Sequence, residues 1–138
     1  MRLAGKVAII SGGARGMGAA EAKLCAQEGA KVIFGDVLDH EGREIESEIT
    51  KSGGVAKYVH LDVTKEAEWG NATETAISMY GRLDILVNNA GIIKLSRVED
   101  MPIEMWDAII DVNATGVFLG TRISIPHMKR TGGGSIIN

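Results

Sequence analysis

Ser11-Gly12-Gly13-Ala14-Arg15-Gly16-Met17-Gly18 is the stretch that decides the fold. Its glycines at 12, 16 and 18 directly follow the apolar run Val7-Ala8-Ile9-Ile10. An alanine-rich segment comes next and ends at Gly29, where a helix C-terminal cap belongs. In a strand, glycine turn and helix in this order, backbone N–H groups and the positive end of the helix can hold a pyrophosphate. Glycine spacing alone is weak, because such a turn can be purely structural. Position after the first strand and an acid downstream make it strong. That acid is Asp36, which closes the second apolar run Val32-Ile33-Phe34 and lies 18 residues beyond Gly18. A carboxylate there can accept both hydroxyls of an adenosine ribose, and it repels a 2′-phosphate. Arg15 pulls the other way, since a guanidinium near the ribose could pair with that phosphate. The fixed acid outweighs the mobile arginine, and Val37 adds no second base. NAD is expected over NADP.

Outward from this unit, strand-length and helix-length segments alternate. Leu38, Ile45 and Ile49 recur at helical spacing, with Glu44, Glu46 and Glu48 on a solvated face. Val55 to Leu61 reads as a third strand. Thr64 is a candidate N-cap, with Glu66 and Glu68 in the first turn, and Trp69, Ala72, Ala76 and Met79 form an inward face. Leu83 to Val87 is a fourth strand. Pro102 suits the first turn of a long helix running to about Lys129, which Gly132-Gly133-Gly134 stop. Ser135 to Asn138 begins a fifth strand. This order predicts an α/β fold, a Rossmann-like doubly wound parallel sheet with helices on both faces. In such sheets ligands bind beyond the carboxyl ends of the strands, where the strand order reverses. Asp62-Val63 closes strand three, where a carboxylate could accept the adenine amino group. Asn88-Asn89-Ala90-Gly91 closes strand four with small residues beside amides, which allow close approach.

Composition removes other classes. The 138 residues fit one domain, and 15 basic against 18 acidic side chains leave no footprint for nucleic acid. No signal-peptide core is evident and no stretch is expected to span a membrane. The single cysteine, Cys25, fits a reducing compartment and reads as a small buried hydrophobe. His40, His60 and His127 lack metal-ligand spacing, so no metal is expected. Trp69 and Trp106 read as packing residues.

The chain resembles the short-chain dehydrogenase/reductase family along all 138 residues. The glycine loop departs from the usual threonine start only by Ser11, which keeps the hydroxyl. Asp36, Asp62-Val63 and Asn88-Asn89-Ala90-Gly91 match the family's cofactor and sheet-edge positions. The resemblance implies NAD contacts from Gly12, Arg15, Gly16, Met17, Gly18, Asp36, Asp62, Val63, Asn89, Ala90 and Gly91. Asn113 matches the asparagine of the family's catalytic tetrad. Gly133 to Asn138 matches the fifth strand that leads into the catalytic serine. Three stretches, Gly13 to Gly16, His60 to Thr64 and Ile125 to Lys129, resemble the bacterial hydroxysteroid dehydrogenase group.

The implied reaction is hydride transfer between nicotinamide and a secondary alcohol or ketone. A steroid or other cyclic alcohol is the expected substrate, and 3-oxoacyl thioester reduction is the alternative. The family's catalytic serine, tyrosine and lysine follow the fifth strand. Tyr58 and Tyr80 are the only tyrosines here, and neither has a lysine four positions later. Residues 1–138 are therefore expected to be the dinucleotide-binding portion of a single-domain enzyme, truncated after the fifth strand and inactive alone. A non-catalytic NAD-binding fragment is the other reading.

Asn113 stands amid apolar helix residues, either as a satisfied structural amide or as the family's amide holding a helix distortion and a relay water. The long helix is apolar on two sides. Trp106, Ile110, Val117 and Thr121 mark one, and Met105, Ile109, Val112, Gly116, Leu119 and Ile123 another. One side can meet the sheet, and the other can be buried in the parent chain or meet a partner subunit. The resemblance favours a cytoplasmic homo-oligomer, a dimer or tetramer joined through the helix around 102–129.

Overall fold

A computed structural model describes residues 1–138. Five strands alternate with helices: β1 (Val7–Ser11), α1 (Gly16–Gln27), β2 (Lys31–Asp36), α2 (Asp39–Lys51), β3 (Val55–His60), α3 (Glu66–Tyr80) and β4 (Ile85–Val87). A single 3-10 turn (Val98–Asp100) precedes α4 (Ile103–Ile110), a π-turn (Asp111–Thr115), α5 (Gly116–Arg130) and β5 (Ser135–Ile137). The strands pair in the order β3-β2-β1-β4-β5, all parallel. The chain runs from β1 outward to β3, then crosses back to place β4 on the other side of β1. Strand order therefore reverses between β1 and β4.

The short apolar runs are continuous because both sheet faces are covered. Ile10, Val32 and Phe34 point to one face, where they pack with Ala19, Ala22 and Ala26 of α1 and Ile45 and Ile49 of α2. Val7, Ile9 and Ile33 point to the other, against Trp69 and Ala76 of α3 and Leu119 and Met128 of α5. The expected doubly wound α/β sheet is what the chain forms.

Local details differ from the expectations. Lys65, not Thr64, caps α3, because the Thr64 hydroxyl turns back to donate to Asp62 Oδ1 at 2.7 Å. Met79 is exposed, since the inward face of α3 is carried by Trp69, Ala72, Thr73 and Ala76. Pro102 caps α4 from outside its first turn. Trp69 is fully buried, whereas Trp106 is 53% exposed and is no core residue. Cys25 is half-buried at the rim of the α1–α2 core. Within the 28-residue helical run Ile103–Arg130, one 18-residue window reaches a mean hydropathy of 1.2, long and apolar enough by length and composition only to cross a membrane, a stretch the sequence expectation had passed over. In the fold, its Gly116, Leu119, Gly120, Ser124 and Met128 are buried. A Cβ on Gly120 would lie 2.6 Å from the Trp69 ring, so this face is pressed against the core.

Asp84, passed over inside the fourth apolar run, clasps the amino ends of three strands. Its side chain accepts the Val7 N–H at 2.9 Å and takes Arg82 on both oxygens, at 2.8 and 2.5 Å. Its own N–H donates to Val7 O, and its carbonyl accepts from Ser135. Burial alone would push the Asp84 carboxyl up. The Arg82 guanidinium, the Val7 N–H and Lys6 outweigh burial and hold it below the usual carboxylate range. Asp84→Ala should cost about 3 kcal/mol in denaturant unfolding, the lower end for breaking a buried pair because Arg82 is partly exposed. The folded pKa is depressed, so this stabilisation is full above the ordinary value of 3.8 and disappears as pH falls through the lower folded value. The variant's unfolding midpoint should accordingly approach that of the wild type in strong acid.

Candidate cofactor site

The three glycines of the loop are needed for different reasons. Gly12 has φ +68, and a Cβ there would lie 2.8 Å from Ala90 Cα. A Cβ on Gly18 would collide with the Gly12 carbonyl and the Asn89 amide, so Gly18 serves close packing of α1 on the strand ends. Gly16 has φ +56 and meets nothing within 4 Å. It alone borders free space. Helix α1 begins there with no side-chain cap and no acid in its first turn, while α2 and α3 begin with Asp39 and Glu41, and Glu66 and Glu68. The positive end of α1 is thus left open to an anion from outside the helix.

Polar side chains join the two strands at the reversal point. Asn89 Nδ2 donates to the Ser11 and Gly12 carbonyls at 3.0 and 3.1 Å, and Ser11 Oγ accepts the Ala90 N–H at 3.1 Å. The amide nitrogen of Asn89 therefore holds the glycine loop.

Asp36, half-buried at the end of β2, accepts the Ala14 N–H on Oδ2 at 3.1 Å and the Leu38 N–H on Oδ1 at 3.2 Å. These bonds fix the carboxylate beside the loop, and each oxygen keeps further acceptor capacity. Asp62 Oδ1 accepts the Thr64 N–H and hydroxyl at 2.9 and 2.7 Å. Burial pushes the Asp62 carboxyl up, but these two bonds, Lys65 and His60 bring it below the usual range. Glu68 accepts the Asp62 N–H at 2.5 Å. Its place in the first turn of a helix had suggested only a dipole partner, because the bond reaches outside the helix.

A cleft of about 350 Å³ opens at the carboxyl ends of these strands. Gly12, Arg15, Gly16, Asp36, Asp62, Val63, Asn89, Ala90 and Gly91 all line it. Met17 and Gly18 do not: the Met17 side chain points to solvent, and Gly18 sits behind the loop. Leu38, Leu61, Ile92 and Val112 join the lining without having been singled out. Their signal was only that most of them follow strand ends. The set combines an open helix N-terminus at Gly16 with two fixed carboxylates, Asp36 and Asp62, along one cleft.

Asn113 sits in the π-turn between α4 and α5, exposed rather than enclosed by apolar neighbours. Its Nδ2 donates to Ile92 O and its Oδ1 accepts the Ile92 N–H, both at 2.8 Å. The amide thus pairs with the backbone of the loop after β4 as a strand would. One N–H stays free to hold a further acceptor. Tyr58 and Tyr80 do not line the cleft.

Comparison with known proteins agrees with this geometry. The family described as "short chain dehydrogenase" matches residues 6–138. The 3-alpha-(or 20-beta)-hydroxysteroid dehydrogenase of Mycobacterium tuberculosis is 53% identical over 137 residues, covering 99% of this chain and 52% of that protein. The cyclopentanol dehydrogenase of Comamonas testosteroni is 44% identical over 137 residues, 99% of this chain and 55% of that protein. Among solved structures, a double phenylalanine-to-leucine mutant of a Serratia marcescens short-chain dehydrogenase/reductase superposes with TM-score 0.89 at 36% identity. It covers 93% of this chain and 53% of that one. The chain spans about half the length of the curated relatives it matches. A match that leaves out only the first five residues, on a sheet that superposes this closely, means that the chain belongs to the short-chain dehydrogenase family.

Proposed function

We propose that residues 1–138 form the dinucleotide-binding portion of an NAD-dependent enzyme that interconverts a secondary alcohol and a ketone. One observation carries the reading: the only first turn of α1, α2 and α3 without an acid opens, at Gly16, into a cleft flanked by two fixed carboxylates. The N-terminus of α1 and Gly16 hold the pyrophosphate, Asp36 accepts the ribose hydroxyls, and Asp62 and Val63 take the adenine. Asn89, Ala90 and Gly91 border the path toward the reacting end, and Arg15 covers the phosphates. When bound, the nicotinamide supplies the hydride acceptor or donor. Asn113 holds the loop after β4 against the cleft through its two bonds to Ile92, and its remaining N–H is available to a further acceptor such as a relay water.

The relatives named for hydroxysteroids and cyclopentanol favour a steroid or other cyclic alcohol as substrate over a 3-oxoacyl thioester. Ile103, Trp106, Ile110 and Phe118 form an exposed apolar face along α4 and α5. That face supports a homo-oligomer, in keeping with a cytoplasmic enzyme. A second reading, cofactor binding without turnover by these residues alone, rests on Tyr58. Its hydroxyl is turned to the Asp36 carbonyl and Asp39, away from the cleft, and cannot act as the acid/base.

Fluorescence titration with NADH and NADPH tests the reading. NADH should bind at least about tenfold more tightly, equivalent to about 1.4 kcal/mol. Absence of NADH binding, or a preference for NADPH, sinks it. Cyclic secondary alcohols should then reduce NAD in the full-length protein, while residues 1–138 alone should bind NADH and turn nothing over.

A further inference from the structure

Behind the Asp36 turn lies a chain of polar and charged contacts that the proposed cofactor contacts do not use. Tyr58 of β3 is buried, and its ring packs 5.6 Å from Phe34 and fills the space beside Gly42 of α2. Any side chain at Gly42 would collide with that ring, so the site is built around the tyrosine. The Tyr58 hydroxyl lies 2.6 Å from the Asp36 carbonyl oxygen and 2.8 Å from Asp39 Oδ1. His60 Nδ1 is 2.8 Å from the same Asp39 oxygen, and His60 Nε2 is 3.8 Å from Glu68 Oε2. Glu68 in turn accepts the Asp62 N–H. Hydrogen bonds thus link the ribose-side turn to His60 through Tyr58 and Asp39, and the last step, to Glu68 on the adenine-side turn, is a charge contact at 3.8 Å.

We propose that Tyr58, Asp39 and His60 form a positioning strut for the adenosine half of the cofactor site, with His60 as its titrating member. The proposal rests on the NAD reading above. A cationic imidazole can donate to Asp39 on α2 at 2.8 Å while its positive charge attracts Glu68 on α3 at 3.8 Å. A neutral ring can keep the Asp39 bond but loses the charge that attracts Glu68, so the two turns are less firmly tied. The groups acting on His60 are Asp39 of α2, Glu68 of α3 and Asp62 after β3, while Arg43 of α2 and the Tyr58 hydroxyl act on Asp39. The hydrogen bond that His60 donates to Asp39 holds the His60 pKa above its ordinary value, with Glu68 and Asp62 adding to it. His60 in turn lowers Asp39. The tightened state therefore exists below the raised histidine value and is lost as pH rises through it. Both His60 and Asp39 are partly exposed, so the effect should be modest and sensitive to salt.

The test uses the full-length protein, as wild type, Tyr58→Phe and His60→Gln. Binding of ADP-ribose and of nicotinamide mononucleotide is measured by calorimetry between about pH 6 and 8.5. Amide exchange at Leu38 and Asp62 is followed without ligand. Wild-type affinity for ADP-ribose should fall about fivefold or more across that range. His60→Gln should flatten the profile, and Tyr58→Phe should weaken ADP-ribose about fivefold at low pH while leaving nicotinamide mononucleotide unchanged. Both variants should exchange the Leu38 and Asp62 amides faster. A His60→Gln profile superimposable on the wild type, or Tyr58→Phe with unaltered exchange, overturns the strut. If wild type fails to bind ADP-ribose, the NAD reading falls instead, and the exchange rates still decide the strut.

Discussion

Gly16→Val is expected to remove cofactor binding while the sheet stays folded. The position has φ +56 and open space where a Cβ would go, so a valine would neither strike the core nor find cover. Its branched side chain would occupy the volume above the first turn of α1, which is where the pyrophosphate must approach. Two or more charge-assisted hydrogen bonds would be lost, at about 1.5–3 kcal/mol each. Affinity should fall roughly 10²–10⁴-fold. The left-handed backbone also disfavours a β-branched residue, so a stability loss of about 1–2 kcal/mol should accompany it. Gly16→Ala separates the two effects, since it carries the backbone cost with much less bulk. Gly18→Ala should behave differently: the Gly12 carbonyl and Asn89 stand in its way, and the loop itself should be disrupted. Calorimetric titration alongside thermal unfolding reads both quantities. A folded Gly16→Val protein that binds NADH normally would show the loop to be only a turn.

Asp36→Ala should weaken NADH about 10- to 100-fold and narrow or invert the preference against NADPH. In the proposed site the carboxylate would both accept the ribose hydroxyls and repel a 2′-phosphate, so both effects come from one group. The structure adds a further reason for the inversion. Removing the carboxylate frees the Ala14 and Leu38 N–H groups, which it now engages at 3.1 and 3.2 Å. With Arg15 lining the same cleft, these donors could receive a phosphate. Parallel titrations with the two reduced cofactors measure the ratio directly. An unchanged ratio in a folded variant would remove Asp36 from the site.

The order of strands and helices and the glycine loop after β1 were legible because they are local patterns. Val7 to Ile10 and Val32 to Phe34 read as two-sided strands, and their side chains do divide between the two faces of the sheet. The inward face of α3 was read from Trp69, Ala72 and Ala76 but extended one step too far, to Met79, because periodicity does not reveal where the sheet ends beneath a helix. Asn113 was singled out by a family match. Its neighbours suggested an enclosed amide, yet the π-turn carries it outward to Ile92, 21 residues away in sequence.

What the sequence alone determined is the alternating α/β order, the glycine turn after β1 and the acid after β2, all set within a few residues by propensity, spacing and backbone freedom. Tertiary structure decided which of those residues face the cleft. Gly16 opens to the cleft while Gly18 is packed against the Gly12 carbonyl, a distinction made only when β4 brings Asn89 alongside the loop. The same holds for Asp84 with Val7, which are 77 residues apart, and for Tyr58 with Asp36, 22 apart. Such partners are chosen by the register of parallel strands and by the reversal of strand order between β1 and β4, and neither leaves a periodic trace along the chain.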